Sequence, residues 1–434
     1  MTRRSQDRII ISIMMVLTLW GGTLFWDHWN LLHKRDPSSG WQSTDIMIAQ
    51  SGCAAAKKTI LVACDSNGNL AAYNQVIPTD DIGQGVLINL RASLQGRAVT
   101  MPEVAQNSFY LSMLALFILG GVVYGLAGLV GFLVLYPALG LIPVLNLFYY
   151  GAVTHGTHIA TAIFAIAPAL FLIKAGSKGW KAWKWASLFG LSLIGFLIAV
   201  LNRQAIAVMG LVALVAVAAI ILRYNSSRIN WLMTGAMVLA MGIILQSQLG
   251  VNLLGNSLNH LPAATTIVGH GFSHNLYIGL GEVPNSLGIV WDDHNGFAAV
   301  KSRDPEIKIL SVQYYDMIRE IFIQTLRDNP TEVLRIYGEK FFKILKAHSN
   351  LVLILVSFVV FGYGWWRSRS DLSDGLSKNL DCFSLGIVSL VMIVIFVIQA
   401  VLVNTDVGYF APAYVFMLLV FAIGVSRIFR PLHQ

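Results

Sequence analysis

The 434-residue chain is 56% hydrophobic and only 12% charged, whereas soluble domains carry about 25% charged residues. This composition excludes an ordinary soluble globular domain and indicates a membrane protein. A net charge of +8 would suggest nucleic acid as the partner of a soluble chain. Here much of the basic excess lies in short connections between apolar runs, and no basic face with interleaved aromatic residues is present, so nucleic-acid binding is not expected.

The first apolar run covers residues 9–26 and follows Arg3, Arg4 and Arg8. Basic residues also precede the apolar part of a secretory signal peptide. This run is longer than that apolar part usually is, and no small-x-small cleavage site follows it. We therefore interpret it as a retained first transmembrane helix.

Ten apolar runs match the length of about 20 residues that a transmembrane helix requires. They cover residues 9–26, 108–126, 128–149, 157–174, 183–201, 204–222, 230–247, 350–366, 382–402 and 410–428. No charged residue separates the second run from the third, and we predict the break in the Gly-Leu-Ala-Gly turn from Gly125 to Gly128. The predicted fold is an all-α polytopic membrane protein with about ten transmembrane helices and two large outward-facing loops.

The basic residues of the short connections give the orientation, because they concentrate on the cytoplasmic side. With the N terminus in the cytoplasm, every short connection that carries more than one basic residue falls on that same side. These residues are Lys174, Lys178, Lys181, Lys184, Arg223, Arg228, Arg367, Arg369, Lys378, Arg427 and Arg430. We predict a multi-pass protein of the bacterial inner membrane, with both termini cytoplasmic and the active face periplasmic.

This orientation divides the chain into five parts. The parts are the first transmembrane helix (1–26), a first periplasmic loop domain (27–107), helices two to seven (108–247), a second periplasmic loop domain (248–349) and the last three helices (350–434). Loops of this length are usually functional or folded in their own right. We therefore expect the chemistry in the two loop domains.

Acidic residues of the first loop domain are candidate general bases. Asp45 lies early in the loop, whereas the adjacent Asp80 and Asp81 precede a helical stretch that includes Val86 to Arg91. A carboxylate that faces a cleft can remove a proton, and a carboxylate at a helix start can simply cap the helix. Both interpretations stay open for the adjacent pair.

The three cysteines indicate no metal or redox centre, because no Cys-x-x-Cys pair is present. Cys53 and Cys64 lie in the first loop domain with ten residues between them. An oxidising compartment would allow them to form a disulfide. Cys382 begins a late apolar run, and we interpret it as a small buried hydrophobe.

Arg203 is a candidate phosphate-binding residue, since it lies in a very short outward turn, Leu-Asn-Arg-Gln, between two apolar runs. Ionisable residues at membrane depth tend to mark a pathway or a partner, and the guanidinium fork matches phosphate oxygens. Extension of the side chain to the headgroup region is the alternative. His155 and His158 lie in another outward turn, where they are either lipid-phosphate ligands or exposed interfacial residues.

Residues 269–297 form the segment that is richest in polar and aromatic side chains among glycines. Its candidates for binding a sugar or another acceptor are His270, His274, Tyr277, Glu282, Trp291, Asp292 and Asp293, beside His294. The His-x-x-x-His spacing lacks the glutamate of a HExxH motif, and the glycine-rich surroundings disfavour a helix. No metal site is therefore predicted, and a compact loop held by its own polar contacts remains the alternative.

The end of the second loop domain has helical periodicity that is interrupted at Asn329-Pro330. Proline suits the first turn of a helix, so Pro330 is predicted to begin a second helix. Three lysines follow on one flank of that helix, at Lys340, Lys343 and Lys346. Two such helices can lie along the outer membrane surface.

This layout resembles the GT-C class of membrane glycosyltransferases. The local resemblance covers two stretches, Asp80-Asp81-Ile82-Gly83 with the helix that runs to Gln106, and His270 to Asp293. The second stretch is similar to a segment of bacterial membrane proteins of glycosyltransferase type. In the GT-C class the base aspartate usually lies soon after the first span, so Asp45 or Asp27 is the nearest positional match, whereas Asp80 and Asp81 lie farther along the loop.

The resemblance implies an inverting hexosyl or pentosyl transfer from a polyprenyl-phosphate carrier to an envelope glycan or glycolipid acceptor. Arg203 with His155 or His158 would bind the donor phosphate, an aspartate would deprotonate the acceptor hydroxyl, and residues 269–297 would form the acceptor wall. No cofactor is implied, and a divalent metal is possible but not indicated. The alternatives are an enzyme similar to O-antigen ligase or polymerase and a transporter of lipid-linked glycans.

Overall fold

The computed structural model describes residues 9, 11–16, 42–76, 82–150, 158–175, 182–224, 228–262, 271–309, 311–347, 350–368, 376–405 and 407–429. In chain order its elements are α1 (Gln42–Ala56), β1 (Ala63–Cys64), β2 (Leu70–Ala71), α2 (Tyr73–Val76), α3 (Gly83–Gln95), α4 (Met101–Tyr150), α5 (His158–Ala175), α6 (Ala182–Asn202), α7 (Gln204–Tyr224), α8 (Arg228–Ile244), α9 (Ser247–Leu258), α10 (Phe272–Gly279), α11 (Asp293–Lys301), α12 (Val312–Asp328), α13 (Pro330–Lys346), α14 (Asn350–Ser368), α15 (Leu376–Leu402) and α16 (Val407–Ile428). A 3₁₀ turn, Leu280–Glu282, follows α10.

Apolar helices dominate the chain, in agreement with the predicted all-α fold. Within the described residues, three helical segments are long and apolar enough to cross a membrane, namely Met101–Gly121, Asn350–Arg367 and Leu385–Leu402. A fourth results if α8 and α9, which are bent by 49° at a short break, form one span. Membrane association is thus indicated, whereas the arrangement of ten spans stays a prediction.

The long helix α4 is broken at Gly128, whose backbone has φ 67° and ψ −166°. Glycine reaches this region at little cost because it has no Cβ. The break lies inside the Gly125–Gly128 turn that the sequence indicated. α4 also begins at Met101 rather than near residue 108, and the Glu103 carboxylate accepts a hydrogen bond from the Thr100 backbone N–H at 2.7 Å, which is half of a capping box.

The apolar helices share one hydrophobic core. α5 is enclosed within it, because the consecutive residues Ala162 to Ile166 are all buried and so face neighbours in every direction. α5 packs against α4, α6, α7 and α16, while α14 and α15 both pack against α16. The C-terminal helices are therefore part of the same bundle as the central ones.

The N-terminal polar unit (described residues 42–76 and 82–100) has its own small core, formed by residues such as Met47, Tyr73 and Ile88. β1 and β2 pair antiparallel, and a disulfide joins Cys53 to Cys64, the pairing that the sequence allowed. The unit rests on α9, where the turn at Ile60 accepts a hydrogen bond from Asn259 Nδ2 at 3.0 Å.

The C-terminal polar unit (described residues from 271 to 346) packs α10 to α13 around a second apolar core. The glycine-rich run was expected to disfavour a helix, but Phe272–Gly279 forms α10. Packing explains the difference, since Tyr277 and Ile278 are buried in this core and tertiary contacts override a weak local preference. α13 begins at Pro330, as predicted.

Candidate functional site

The turn between α6 and α7, here called the Arg203 turn (residues 201–204), supports the start of α3. An ideal Cβ on Gly83 would lie 2.4 Å from the carbonyl oxygen of Leu201, so this close approach requires glycine. Gln84 follows and donates its Nε2 hydrogen to Asn202 Oδ1 at 3.3 Å. The first turn of α3 therefore lies on the Arg203 turn, directly after the acidic pair in the sequence.

The bend between α8 and α9 holds the Arg203 turn from another direction. Gln248 Nε2 donates to the Val200 carbonyl at 2.7 Å. Gln204 Nε2 in turn donates to the Leu245 carbonyl at 3.0 Å. The turn is thus fixed by hydrogen bonds from two amide side chains as well as by its own helices.

Arg203 lies at the junction of α6 and α7, with no other residue between the two helices. Its backbone N–H donates to Ala199 at 2.8 Å, and its carbonyl accepts from Ile206 and Ala207. The residue is partly exposed. The backbone of Arg203 is thus fixed by two helices, and its guanidinium has the planar fork that matches phosphate oxygens.

Two buried amides on the elements around this turn have polar atoms without a hydrogen-bond partner among the described residues. They are Gln84, through Oε1, and Asn256 of α9, through both side-chain polar atoms. Asn256 is only 3% exposed. Buried polar atoms are normally satisfied by protein or water, so these amides can accept a water or a ligand hydroxyl.

The opposite end of α3 is tied to α4. Arg91 donates to the Glu103 carbonyl at 2.8 Å, to Asn107 Oδ1 at 2.7 Å and to Gln106 Oε1 at 2.8 Å. The hydrogen bond from Arg97 lowers the pKa of Glu103 to about 2 against the opposing effect of partial burial. α3 is therefore held by side-chain hydrogen bonds near both of its ends.

His274, one of the predicted acceptor residues, is enclosed rather than exposed. Its side chain is fully buried. Nδ1 lies 2.6 Å from the Tyr314 hydroxyl, and Nε2 lies 3.1 Å from Asp293 Oδ1. The Asp293 side chain is 44% exposed, so a chain of three polar groups leads from the core of the C-terminal polar unit to its surface.

The Asp293 carboxylate gives the direction of these hydrogen bonds, because a carboxylate only accepts. Nε2 therefore donates to Asp293, and the other ring nitrogen, Nδ1, can accept from the Tyr314 hydroxyl. Burial raises the pKa of the Tyr314 phenol well above its usual range. The partly exposed Asp293 carboxylate is thereby held by a fully buried ring.

Asp292, the neighbouring carboxylate, has a different role. It is the N-cap of α11 and accepts a hydrogen bond from the His294 backbone N–H at 2.8 Å. This bond lowers the pKa of Asp292, with a further contribution from the His294 side chain. Asp292 therefore stabilises a helix start, whereas Asp293 is held outward by His274.

Glu282 lies in an ion-paired junction between the C-terminal polar unit and the apolar bundle. Its carboxylate is 3.3 Å from Lys340 Nζ and 3.0 Å from Lys343 Nζ, and it accepts hydrogen bonds from the Thr405 N–H and hydroxyl. Burial alone would raise the pKa of Glu282. The hydrogen bonds from Thr405 and Lys343 and the charge of Lys340 lower it by more than burial raises it, so the net shift is downward.

Lys340 is fully buried in this junction, whereas Lys343, which the sequence placed on the same flank of the helix, is 55% exposed. Its ammonium donates to the Gly279 carbonyl at 2.8 Å and to the Val403 carbonyl at 3.0 Å. Burial lowers the pKa of Lys340 to about 8, although Glu282 opposes the shift.

Tyr277 and Trp291 take part in packing. Tyr277 lies in the core of the C-terminal polar unit, and burial raises the pKa of its phenol. Trp291 packs against the same core, and its backbone N–H donates to Gly281 at 3.2 Å. The indole remains partly exposed, so of these two rings it is the one that can contact a sugar.

Several predicted site residues lie outside the described part of the chain. They are Asp80, Asp81, His155 and His270, together with the side chains of Asp45 and His158. Among the described residues, no group of three His, Cys, Asp or Glu side chains is arranged to hold a metal ion.

Sequence reasoning missed the partners that complete these clusters, namely Tyr314, Lys340, Thr405, Gln84 and Asn202. Lys340 carried a detectable signal, because it shares one helical face with Val333, Ile336 and Ile344. Comparison of the chain with protein-family models, with curated proteins and with solved structures finds no match.

Proposed function

We propose that this chain is a polytopic membrane glycosyltransferase that moves a sugar from a polyprenyl-phosphate carrier to a cell-envelope glycan or glycolipid at the periplasmic face. The observation that carries the proposal is the packing of Gly83 and Gln84 on Leu201 and Asn202. It brings the helix that follows the acidic pair to a partly exposed arginine at the end of two apolar helices.

The topology required by this function is the ten-span arrangement with the basic short connections in the cytoplasm. Helix covers the described residues of the predicted spans except at the breaks at Gly128 and at residues 245–246, which supports that arrangement. Both polar units and the Arg203 turn would then lie on the periplasmic side. A donor held in the bilayer could reach Arg203 from the side without any nucleotide site.

In the proposed reaction, Arg203 binds the donor phosphate and stabilises the negative charge that develops on it. Asp45, Asp80 or Asp81 takes the proton from the acceptor hydroxyl, and that oxygen attacks the anomeric carbon. The bond between the anomeric carbon and the phosphate oxygen breaks, and polyprenyl phosphate leaves. Asp293 and Trp291 are proposed to contact the acceptor, since both side chains are partly exposed.

The test is mass spectrometry of cell-surface glycans from strains with and without the gene. We expect the deletion to remove the mass of a single sugar residue and wild type to restore it. Of Asp45→Asn, Asp80→Asn and Asp81→Asn, the variant of the general base should fail to restore it. Asp65→Asn is the matched control, because Asp65 stabilises a surface turn through hydrogen bonds to Asn67 and Asn69.

Arg203→Lys tests the phosphate site, since lysine keeps the charge but lacks the planar fork. We expect weak restoration by Arg203→Lys and none by Arg203→Ala. Loss of whole glycan chains on deletion would instead indicate a ligase or polymerase. Unchanged glycans would contradict the proposal.

A further inference from the structure

The helix α13 has three distinct faces at the helical repeat of 100° per residue. Its buried face packs inward through Val333, Ile336, Lys340 and Ile344. A charged face carries Glu332, Arg335, Glu339, Lys343 and Lys346. The third face is apolar and spans about 100° of the helix, and it contains Leu334, Gly338, Phe341, Phe342 and Leu345.

This third face is exposed. Leu334 is 72% exposed, Phe342 is 59% exposed and Phe341 is 40% exposed. A Cβ added to Gly338, which lies between them, would meet no atom within 4 Å. Contiguous exposed apolar surface of this kind usually marks a contact with a partner or a membrane.

The depth of α13 relative to the bundle follows from the two cores that it joins. Val333 and Ile336 belong to the core of the C-terminal polar unit, whereas Ile344 belongs to the core of the apolar bundle. Between them, Lys340 donates to the Val403 carbonyl, just beyond the end of α15. The Phe341 and Phe342 side chains therefore lie near the level at which an apolar helix ends.

α13 is also hydrogen-bonded to a candidate transmembrane helix. Asn350, the first residue of α14, donates to the Ile344 carbonyl at 2.7 Å and accepts a hydrogen bond from the Tyr414 hydroxyl of α16 at 2.7 Å. α14 contains the candidate span Asn350–Arg367. The exposed face of α13 is thereby held beside a helix whose own exposed side chains, such as Leu351 and Val352, are apolar.

We propose that α13 lies in the outer interface of the lipid bilayer, with Leu334, Phe341, Phe342 and Leu345 against acyl chains and with Lys346 among the headgroups. The inference rests on the topology of the proposed function. A lipid partner fits because the face continues into a membrane helix, because an aromatic pair lies at the interface level and because the adjoining face is charged.

This placement would fix the C-terminal polar unit on the membrane surface. The Glu282–Lys340 junction would transmit the anchoring to α10, and through α10 to His274 and Asp293. A lipid-linked donor would then meet a polar unit that is held at a constant height above the bilayer.

The test measures the depth of nitroxide labels in the full-length chain, reconstituted in vesicles of phosphatidylethanolamine and phosphatidylglycerol. Cys382→Ala removes the remaining free thiol, since Cys53 and Cys64 are joined. Single cysteines then replace Leu334, Phe342 or, as the matched control on the charged face, Glu339. Each label is exposed to oxygen, which concentrates in lipid, and to a water-soluble nickel chelate.

We expect the ratio of oxygen to nickel accessibility to be several-fold higher at Phe342→Cys than at Glu339→Cys, with Leu334→Cys between them. Equal ratios at all three positions would overturn the proposal. Exclusion of both reagents at residue 342 would also overturn it, because it would show a protein cover instead of lipid. The measurement needs no turnover, so a negative glycan assay would contradict the proposed function without affecting this result.

Discussion

His274 is enclosed by aromatic rings, with the centroid of Phe297 at 5.5 Å and that of Tyr314 at 5.9 Å. In the sequence it is one of several histidines among glycines, and metal binding or sugar binding were the functional hypotheses. Its two hydrogen-bond partners lie 19 and 40 residues away, so no local pattern could reveal them. The sequence therefore identified His274 as a candidate, but its contacts with Tyr314 and Asp293 could not be predicted.

Tyr314→Phe should destabilise the C-terminal polar unit, because it leaves the buried Nδ1 of His274 without a donor. A buried polar atom that loses its partner costs about 1–3 kcal/mol. We expect a loss of this size in the opening free energy of α12 amides, measured by hydrogen exchange.

Tyr337→Phe is the matched control for this prediction. Tyr337 packs against the same core, but its hydroxyl is buried without a hydrogen-bond partner among the described residues. Removal of that hydroxyl should change the opening free energy by less than about 0.5 kcal/mol. Equal losses in the two variants would show that the hydroxyl of Tyr314 makes no special contribution.

At the scale of elements, α13 shows what helical periodicity can and cannot predict. The spacing of Val333, Ile336 and Tyr337 indicated a helix, and Pro330 indicated its start. The sequence grouped Lys340 with Lys343 and Lys346 on one flank, and did not separate Lys340 from them as a residue of the buried face. The acceptors of Lys340, the Gly279 and Val403 carbonyls, belong to elements that are far apart in the sequence. These elements approach closely, since an ideal Cβ on Gly279 would lie 2.6 Å from the Leu402 carbonyl oxygen.

The junction formed by Lys340 should have an unusual pH dependence. The pKa of Lys340 is lowered to about 8 by burial, from 10.5 in the unfolded chain. Between these values the unfolded state binds more protons than the folded state, so the free energy of unfolding contributed by Lys340 rises with pH. An exposed lysine with a raised pKa would have the opposite effect.

We therefore expect the apparent melting temperature of wild type to rise relative to that of Lys340→Met as the pH increases from about 8 to about 10. Lys343→Met is the control, because Lys343 contacts the same carboxylate from an exposed position. A difference that stays constant or falls over this range would mean that the lysine is not desolvated in the folded state.

At the scale of the whole molecule, the sequence predicted the helical class and the positions of the apolar helices, because long apolar runs need no tertiary information. The break at Gly128 was also predictable from local composition. The sequence did not reveal that α9 continues from α8 after a bend and supports Ile60 and Leu61 of the N-terminal polar unit. Contacts between residues so distant in the sequence depend on the packed fold, and so does the close approach of Gly83 to Leu201.

The topology is the decisive prediction at this scale, and α4 provides its physical basis. A helix of 50 residues would extend about 75 Å, far more than the bilayer core of about 30 Å, so the kink at Gly128 must separate two spans or divert the chain. Two spans place Leu94 and Arg223 on opposite sides of the membrane, whereas one span would place them on the same side.

Cysteine labelling with an impermeant maleimide tests this arrangement in spheroplasts of the Cys382→Ala background. We expect Leu94→Cys and Glu306→Cys to react in intact spheroplasts, since both sites lie in the polar units, and Arg223→Cys to react only after permeabilisation. All three residues are exposed, so access to the reagent depends on the side of the membrane. Reaction of Arg223→Cys in intact spheroplasts would mean that the chain crosses the membrane one time fewer before residue 223. Every later basic connection would then lie on the other side, which the distribution of basic residues opposes.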